Sequence, residues 1–229
     1  MFRKLVKWLK RIFLYFFLFS VLWVIAYRFV PVPYTPLMAV RSFQQWHGGK
    51  PVICRHNWIS IKDMPVNIQK AVIASEDGHF SNHNGFDWKA IKKAYEQNQT
   101  KGRKRGGSTI SQQTAKNVFL WQGKSYFRKG LESYFTVLIE IFWSKERIME
   151  VYLNSIEMGD GVYGIEAASQ YWFNKNAARL TDYEAASIAA ILPNPLKFRA
   201  KGGTQYTEKR KRFILRQMRL YNKPDYLNE

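Results

Sequence analysis

The sequence contains one cysteine, four histidines and fewer than half as many acidic as basic residues. A lone Cys54 cannot form an intrachain disulfide, and no Cys-x-x-Cys pair is present for a metal or redox site. His79 and His83 are four residues apart, but Gly78 disfavours a helix there and no His-Glu-x-x-His motif occurs. These absences exclude a disulfide scaffold and argue against a zinc enzyme.

Several catalytic and binding motifs are also missing. The chain has no Ser-x-x-Lys and no Lys-Thr-Gly, the signatures of serine acyl transfer, and the stretch after Pro195 is short. No Gly-x-x-x-x-Gly-Lys-Ser/Thr loop occurs, which argues against an ATP-type phosphate site. Helix-turn-helix and zinc-finger signatures are absent too. We therefore expect no acyl-transfer domain in this chain.

Acidic residues are the scarcer charge, with 17 Asp and Glu against 36 Lys and Arg and a formal net charge of +19. Such a surplus implies an anionic partner. Nucleic acid, anionic lipid headgroups and a phosphorylated substrate are all compatible with it. Apolar residues make up 46% of the chain, which is enough for a folded core.

Residues 12–30 form an apolar run that only Arg28 interrupts. As a helix, the run spans about 28 Å, close to the thickness of a hydrocarbon core. Arg41 is the next cation after Arg28, whereas five cations precede the run: Arg3, Lys4, Lys7, Lys10 and Arg11. The positive-inside rule then predicts a cytoplasmic tail over 1–11, one transmembrane helix, and the remainder outside. Because no Ala-x-Ala site follows, the helix is predicted to be an uncleaved anchor.

The segment after the anchor is predicted to be a membrane-proximal linker over residues 31–60. Its closely spaced prolines Pro31, Pro33 and Pro36 stop a helix and stiffen the chain. Two stretches within or at the edge of it, 52–53 and 58–61, are candidate short strands.

Residues 61–200 have helical patterns and predict a mainly α domain. Thr181 and Glu184 have the spacing of a capping box, and Pro193 and Pro195 end the last strong helix. Residues 201–229 are predicted to be a basic C-terminal tail that forms a helix, either lying on anionic headgroups or presenting a solvated face. Its cations are Lys209, Arg210, Lys211, Arg212, Arg216 and Arg219. Because exposed charges are screened, single changes at Arg210 or Lys211 are expected to cost little.

Glu76 and Asp77 follow an apolar helical stretch and precede a run rich in helix breakers. A carboxylate at such a helix-to-loop junction is a candidate general base. A solvent-facing acidic pair explains the same spacing.

Two further clusters combine cations with glycines or hydroxyls. Residues 101–113 join four cations to Gly106, Gly107, Ser108 and Thr109, a composition suited to anion binding at a helix N-terminus, although a solvated basic loop is the alternative. Residues 116–132 contain Arg128 and Glu132 four residues apart, on one helical face. An ordinary surface ion pair is the alternative there.

Taken together, these segments resemble the peptidoglycan glycosyltransferases, the family that includes the polymerising domain of class A penicillin-binding proteins. EDGHFSNHNGFD at 76–87 resembles the first family motif, GGSTISQQTAKN at 106–117 the second, and RKGLE at 128–132 the third. ERIMEVYLNSIEMGDGVYGIEAASQYWFNK at 146–175 resembles the fourth and fifth. The resemblance covers about residues 60–200 and implies a lysozyme-like glycosyltransferase domain. Chain length and the anchor resemble the monofunctional Gram-negative members, without a transpeptidase.

The resemblance also implies roles for individual residues. Glu76 matches the general base that deprotonates the acceptor 4-hydroxyl, and Glu132 matches a second essential carboxylate near the donor pyrophosphate. Lys124 occupies a position where many relatives carry arginine, which keeps the charge but loses the bidentate geometry. The remaining predicted substrate-binding residues are Asp77, Phe80, His83, Ser108, Thr109, Gln112, Gln113, Lys116, Asn117, Lys124, Arg128 and Lys129.

The implied substrates are lipid II and the growing lipid-linked glycan, with undecaprenyl pyrophosphate released and the anomeric configuration inverted. A divalent cation, Mg²⁺ or Mn²⁺, is the expected cofactor, with its ligands unassigned, and no organic cofactor is expected. The implied location is the inner membrane with a periplasmic catalytic domain. The membrane itself and cell-division or cell-wall-synthesis proteins are the expected partners, and nucleic acid is not.

Two other functions fit parts of the sequence. A lysozyme-like lytic enzyme would use Glu76 as an acid, but would have little use for a pyrophosphate-sized group of cations. A membrane-tethered basic protein that binds nucleic acid would lie on the wrong side of the membrane.

Overall fold

The computed structural model describes residues 2–100, 106–123 and 125–221. Within these ranges the chain forms ten α-helices, three short strands and three short 3₁₀ turns. The helices are α1 (Phe2–Phe29), α2 (Pro36–His47), α3 (Val66–Glu76), α4 (Trp88–Thr100), α5 (Ile110–Phe119), α6 (Tyr126–Phe142), α7 (Lys145–Ser155), α8 (Ile165–Phe173), α9 (Asp182–Ile191) and α10 (Gln205–Leu220). The strands are β1 (Arg55–His56), β2 (Glu157–Gly159) and β3 (Val162–Tyr163).

Helix α1 is long and apolar enough to cross a membrane, and the rest of the chain buries only 11% of its most apolar stretch. The helix is continuous from Phe2, so the basic residues of the predicted tail lie on its first turns. Its C-terminal half packs on the domain, because Ser20 lies 2.6 Å from the Tyr134 hydroxyl and the Trp143 indole donates to the Val24 carbonyl at 2.8 Å. Helix α1 and the domain are therefore directly in contact.

Most of the core is formed by α3, α5, α6, α7, α8, α9 and α10. In α9 every residue from Ala185 to Ile191 is buried, and its alanines allow α3 and α10 to approach closely. The capping box predicted at Thr181 and Glu184 is present at the start of α9. The helix ends at Ile191, just before Pro193, as predicted.

The two predicted strand segments are wrong, and the strand of this region lies between them at β1. The backbone amides of both segments bond to side chains instead of a neighbouring strand. Ile53 donates to the Gln45 side chain at 2.8 Å, and Ile59 donates to the Asn154 side chain at 3.0 Å. The sheet has the order β1-β3-β2, with β1 parallel and β2 antiparallel to β3.

The predicted linker contains helix α2, which is packed onto the domain. Pro36 occupies the first turn, and the Thr35 hydroxyl caps the helix by accepting from the Met38 amide. The Arg41 guanidinium bonds Glu157 at 3.2 Å, and the Gln45 amide bonds Asp160 at 3.1 Å. Side-chain contacts to the β2–β3 hairpin therefore fix this segment in place.

The helix predicted in the basic tail is present as α10, but it packs into the domain instead of lying on a membrane or facing solvent alone. Ile214 and Met218 of α10 are buried in the same core as the rest of the domain. The fold thus extends beyond the predicted boundary at residue 200, through Leu220. Residues 222–229 of the predicted tail lie outside the described part of the chain.

Candidate active site

Glu76 is the last residue of α3, where the helix meets the loop of the first motif. Its Oε1 accepts hydrogen bonds from the Ser75 hydroxyl and from Arg210, both at 2.9 Å. Its Oε2 accepts one bond, from the Gln113 side-chain amide at 3.2 Å. The carboxylate is therefore held in one orientation, with its Oε2 less fully bonded than its Oε1.

Asp77 connects the first motif to the second. Its Oδ2 accepts from the Ile110 backbone amide at 2.9 Å, at the N-terminus of α5, where a carboxylate is favoured. Its Oδ1 lies 2.9 Å from His83 Nε2. Asp77 is 6% exposed and Phe80 is 1% exposed. Asp77, Phe80 and His83 are thus part of the packed support beneath the loop.

Helix α5 carries the second motif and begins at a capping box. Thr109 and Gln112 bond each other's backbone amides, and the Thr109 hydroxyl donates to the Gly85 carbonyl at 2.7 Å. This last contact holds the first and second motifs together. Thr109, Gln112 and Asn117 are all buried, so they face the protein interior.

Gln113 projects from α5 toward Glu76, and Tyr152 orients it. The Tyr152 hydroxyl donates to the Gln113 side-chain oxygen at 3.5 Å, which directs the amide nitrogen to Glu76. Burial raises the pKa of Tyr152 well above its usual value, and the charges of Glu76 and Asp77 act in the same direction. The hydroxyl therefore stays protonated.

The third motif lies on the first turns of α6 and forms a compact ion-pair cluster. Arg128 donates to Glu132 Oε2 at 2.7 Å and to the Gly123 carbonyl at 2.8 Å. The Lys129 ammonium contacts the other oxygen, Glu132 Oε1, and lies 3.4 Å from the Ser108 hydroxyl. The Glu132 side chain is 4% exposed, whereas that of Lys129 is 45% exposed. Glu132 is therefore covered by cations, and one of those cations faces solvent.

Lys116 of α5 is affected by the charges of both glutamates. Burial lowers the pKa of Lys116, the charge of Glu132 opposes that shift, and Arg128 and Lys129 add to it. Glu76 also acts on it, in the same direction as Glu132. Lys116, Arg128 and Lys129 together outnumber the single carboxylate of Glu132, so this region carries a net positive charge. Lys124, the fourth predicted cation, lies outside the described residues, as do 101–105.

Arg210 of α10 is a site residue that the sequence analysis missed. Its guanidinium bonds Glu76 at 2.9 Å and the Ser75 hydroxyl at 2.8 Å, so the expectation of an exposed surface cation is wrong for it. It is also wrong for Lys211, which is 3% exposed and bonds Glu208 and the Tyr183 hydroxyl. Helical spacing in the sequence could have identified both residues. The buried face of α10 is formed by Thr207, Lys211, Ile214 and Met218, and Arg210 borders that face.

Within the described residues, no group of three or more His, Cys, Asp or Glu side chains could hold a metal ion. Glu132 is bonded by Arg128 and Lys129, and Glu76 by Arg210. In this conformation these carboxylates do not fit a metal site built from protein ligands alone. The divalent cation stays a prediction.

A family model described as Transglycosylase matches residues 50–219. The chain belongs to the transglycosylase family. The prediction of a mainly α, lysozyme-like transglycosylase domain with an apolar N-terminal helix is thereby confirmed. The matched residues include α10, so the transglycosylase region contains Arg210 as well as the five motifs.

Proteins similar to this chain over most of its length include biosynthetic peptidoglycan transglycosylases from several bacteria. The one from Bacteroides thetaiotaomicron is 52% identical over 221 residues, 96% of this chain and 89% of that protein. The one from Bdellovibrio bacteriovorus is 53% identical over 209 residues, 91% of this chain and 84% of that protein. One from Pseudomonas putida is 47% identical over 223 residues, 97% and 94% of the two chains. The predicted enzyme class is confirmed.

Proposed function

We propose that this transglycosylase polymerises lipid II into peptidoglycan glycan strands, with Glu76 as the general base. The shared name of its relatives supports peptidoglycan as the product. The observation that most supports the assignment of the base is the asymmetric bonding of Glu76. Ser75 and Arg210 occupy Oε1, while Oε2 has only the Gln113 amide and so retains a lone pair for a proton.

In the proposed step the acceptor's 4-oxygen forms a bond to the anomeric carbon of the donor glycan. The anomeric carbon–oxygen bond to pyrophosphate breaks on the opposite face, so the configuration inverts. The hydroxyl proton passes to Glu76 Oε2, and undecaprenyl pyrophosphate leaves with the bonding electron pair. Pyrophosphate is a good leaving group, so the step needs a base and charge stabilisation more than a strong acid.

The cations on α5 and α6 are assigned to the donor pyrophosphate. Negative charge on the leaving oxygen increases as its bond breaks, and preorganised cations stabilise that charge most in a partly dry site. Lys116 is assigned to this group of cations because the charges of both glutamates act on its pKa. Lys129 is solvent-facing, and Ser108 lies beside it. Glu132 is assigned to hold Arg128 and Lys129 in place.

The decisive measurement is polymerisation of purified lipid II by the full-length protein in detergent, with product length read on a gel. We expect long glycan from the native protein and none from Glu76→Gln. Fragments released from finished glycan, with no polymer from lipid II, would instead establish a lytic enzyme. Repeating the assay with a chelator tests the predicted divalent cation.

We also propose that α1 spans the inner membrane with its N-terminus in the cytoplasm. The basic residues on its first turns support this orientation. Protease added to intact spheroplasts should then digest the domain that follows Phe29. Protection of the whole domain would contradict the orientation, because the added protease reaches only the outer face. It would also contradict access of the domain to lipid II on that face.

A further inference from the structure

We propose that α10 is part of the active site, and that Arg210 is the residue that positions the base. This inference rests on the proposed role of Glu76. It concerns a helix outside all five sequence motifs, at residues first interpreted as a basic tail.

The first observation is the set of bonds around Arg210. One guanidinium nitrogen, Nη2, lies 2.9 Å from Glu76 Oε1, 2.8 Å from the Ser75 hydroxyl oxygen and 3.4 Å from the Ser75 carbonyl oxygen. The side chains of Arg210 and Glu76 are 25% and 15% exposed, so the pair is largely shielded from water. Arg210 thereby anchors the last turn of α3 as well as the carboxylate.

The second observation is a separate contact from the same helix. Tyr221, directly after α10, donates its hydroxyl to the Gly78 carbonyl at 3.0 Å. A Cβ on Gly78 would lie 2.6 Å from that hydroxyl oxygen, so the loop and Tyr221 are closely fitted. Arg210 and Tyr221 therefore contact the chain on either side of Glu76 and Asp77.

The third observation is that α10 is rigidly supported. Ile214 is fully buried, Met218 is 5% exposed, and the helix packs on both α3 and α9. A guanidinium on such a helix can hold a carboxylate within the narrow range of geometries that proton transfer needs. Because Arg210 bonds Oε1, it leaves Oε2 directed at the acceptor.

Arg210 thus acts through Glu76 and not on the substrate. Its loss should lower turnover while leaving lipid II binding unchanged. A misplaced catalytic group costs about 10- to 100-fold in rate, and we expect a kcat loss of that order for Arg210→Ala. KM for lipid II should stay within about twofold, because the donor cations on α5 and α6 are untouched.

Two further variants and a chemical rescue sharpen the test. Arg210→Lys should keep part of the turnover, because it retains the charge but loses the planar donor. Added guanidinium should restore part of the turnover of Arg210→Ala and none of that of Glu76→Gln. Arg212→Ala is the matched control, since Arg212 is exposed on the opposite side of the same helix, and it should leave kcat unchanged.

Normal turnover in Arg210→Ala, or equal losses in Arg210→Ala and Arg212→Ala, would overturn the inference. If Arg210→Ala fails to fold, Ser75→Ala replaces it, since it removes the hydroxyl next to Arg210 without changing a charge. A smaller kcat loss at constant KM is then expected, and no loss would count against the inference. A near-native rate in Glu76→Gln would instead refute the proposed role of Glu76 as the base, on which this inference rests.

Discussion

Two glutamate–arginine pairs occupy this site, and they differ in sequence separation and in solvent exposure. Arg128 and Glu132 are neighbours on one helix, 2.7 Å apart, with side chains 10% and 4% exposed. Arg210 and Glu76 come from helices far apart in the chain, 2.9 Å apart, with side chains 25% and 15% exposed. The local pair is closed from solvent, and the distant pair is partly open.

The difference separates two roles for chemically identical side chains. Both oxygens of Glu132 are bonded to cations, so this carboxylate holds Arg128 and Lys129 in place. Glu76 has one oxygen bonded by a cation and the other by a neutral amide. A general base needs the second arrangement, and a scaffold for cations needs the first.

The largest effect is expected from Glu76→Gln, which keeps the shape of the side chain but cannot accept the proton. Loss of a general base should lower turnover by about 10²–10⁴-fold. Initial rates of lipid II polymerisation would measure it, with circular dichroism as the check on folding. A near-native rate in a folded variant would transfer the role of base to another residue.

Glu132→Gln should act chiefly on stability. Removing one partner of a buried ion pair leaves the other charge uncompensated and lowers the free energy of unfolding by about 3–5 kcal/mol. Glu76→Gln should cost less, because its pair is more exposed. Thermal or denaturant unfolding of both variants would test this, and equal losses would remove the structural distinction between the pairs.

Lys116→Ala should lower turnover at saturating lipid II by about 10²–10³-fold, as expected for one charged hydrogen bond that strengthens in the transition state. Arg128→Ala should also lower turnover, but it unpairs Glu132 as well, so Lys116 gives the cleaner result. If Lys116→Ala raised KM alone, the cation would serve ground-state binding only.

Lys211→Ala is expected to affect stability and not turnover. Lys211 bonds Glu208 and lies over the ring of Tyr183, away from Glu76. Losing a charged hydrogen bond of this kind costs about 1–3 kcal/mol. Unfolding curves should shift for Lys211→Ala and stay unchanged for the exposed Arg216→Ala. A kcat loss in Lys211→Ala without unfolding would extend the site further along α10.

The smallest effect is a pH dependence at Lys116. Burial lowers its pKa, so its ammonium loses its proton at a lower pH than an exposed lysine as the medium becomes alkaline. Turnover at saturating lipid II should therefore fall as the pH rises in the native protein. This fall should be absent in Lys116→Arg, because arginine remains charged. Identical kcat–pH profiles in the two proteins would argue against contact between Lys116 and the pyrophosphate.

Much of this site was predictable because its motifs are local. Helix signals and the family resemblance predicted the order of Glu76, the second-motif residues and the α6 cations along the chain. All of them fall within the residues that the transglycosylase family model matches. Strand positions near residues 52–61 were not predictable, because the amides of Ile53 and Ile59 bond to the side chains of Gln45 and Asn154 instead of to a neighbouring strand.

The sequence alone determined the α-helical class, the apolar anchor and the position of Glu76 at a helix end. Periodicity, hydrophobic length and helix-breaking residues act over a few turns, so the chain itself carries that information. Only the tertiary structure decided which basic residue of α10 lies at Glu76. Arg210 and Arg212 are two residues apart and equally basic, yet the packing of α10 on α3 brings only Arg210 to Glu76.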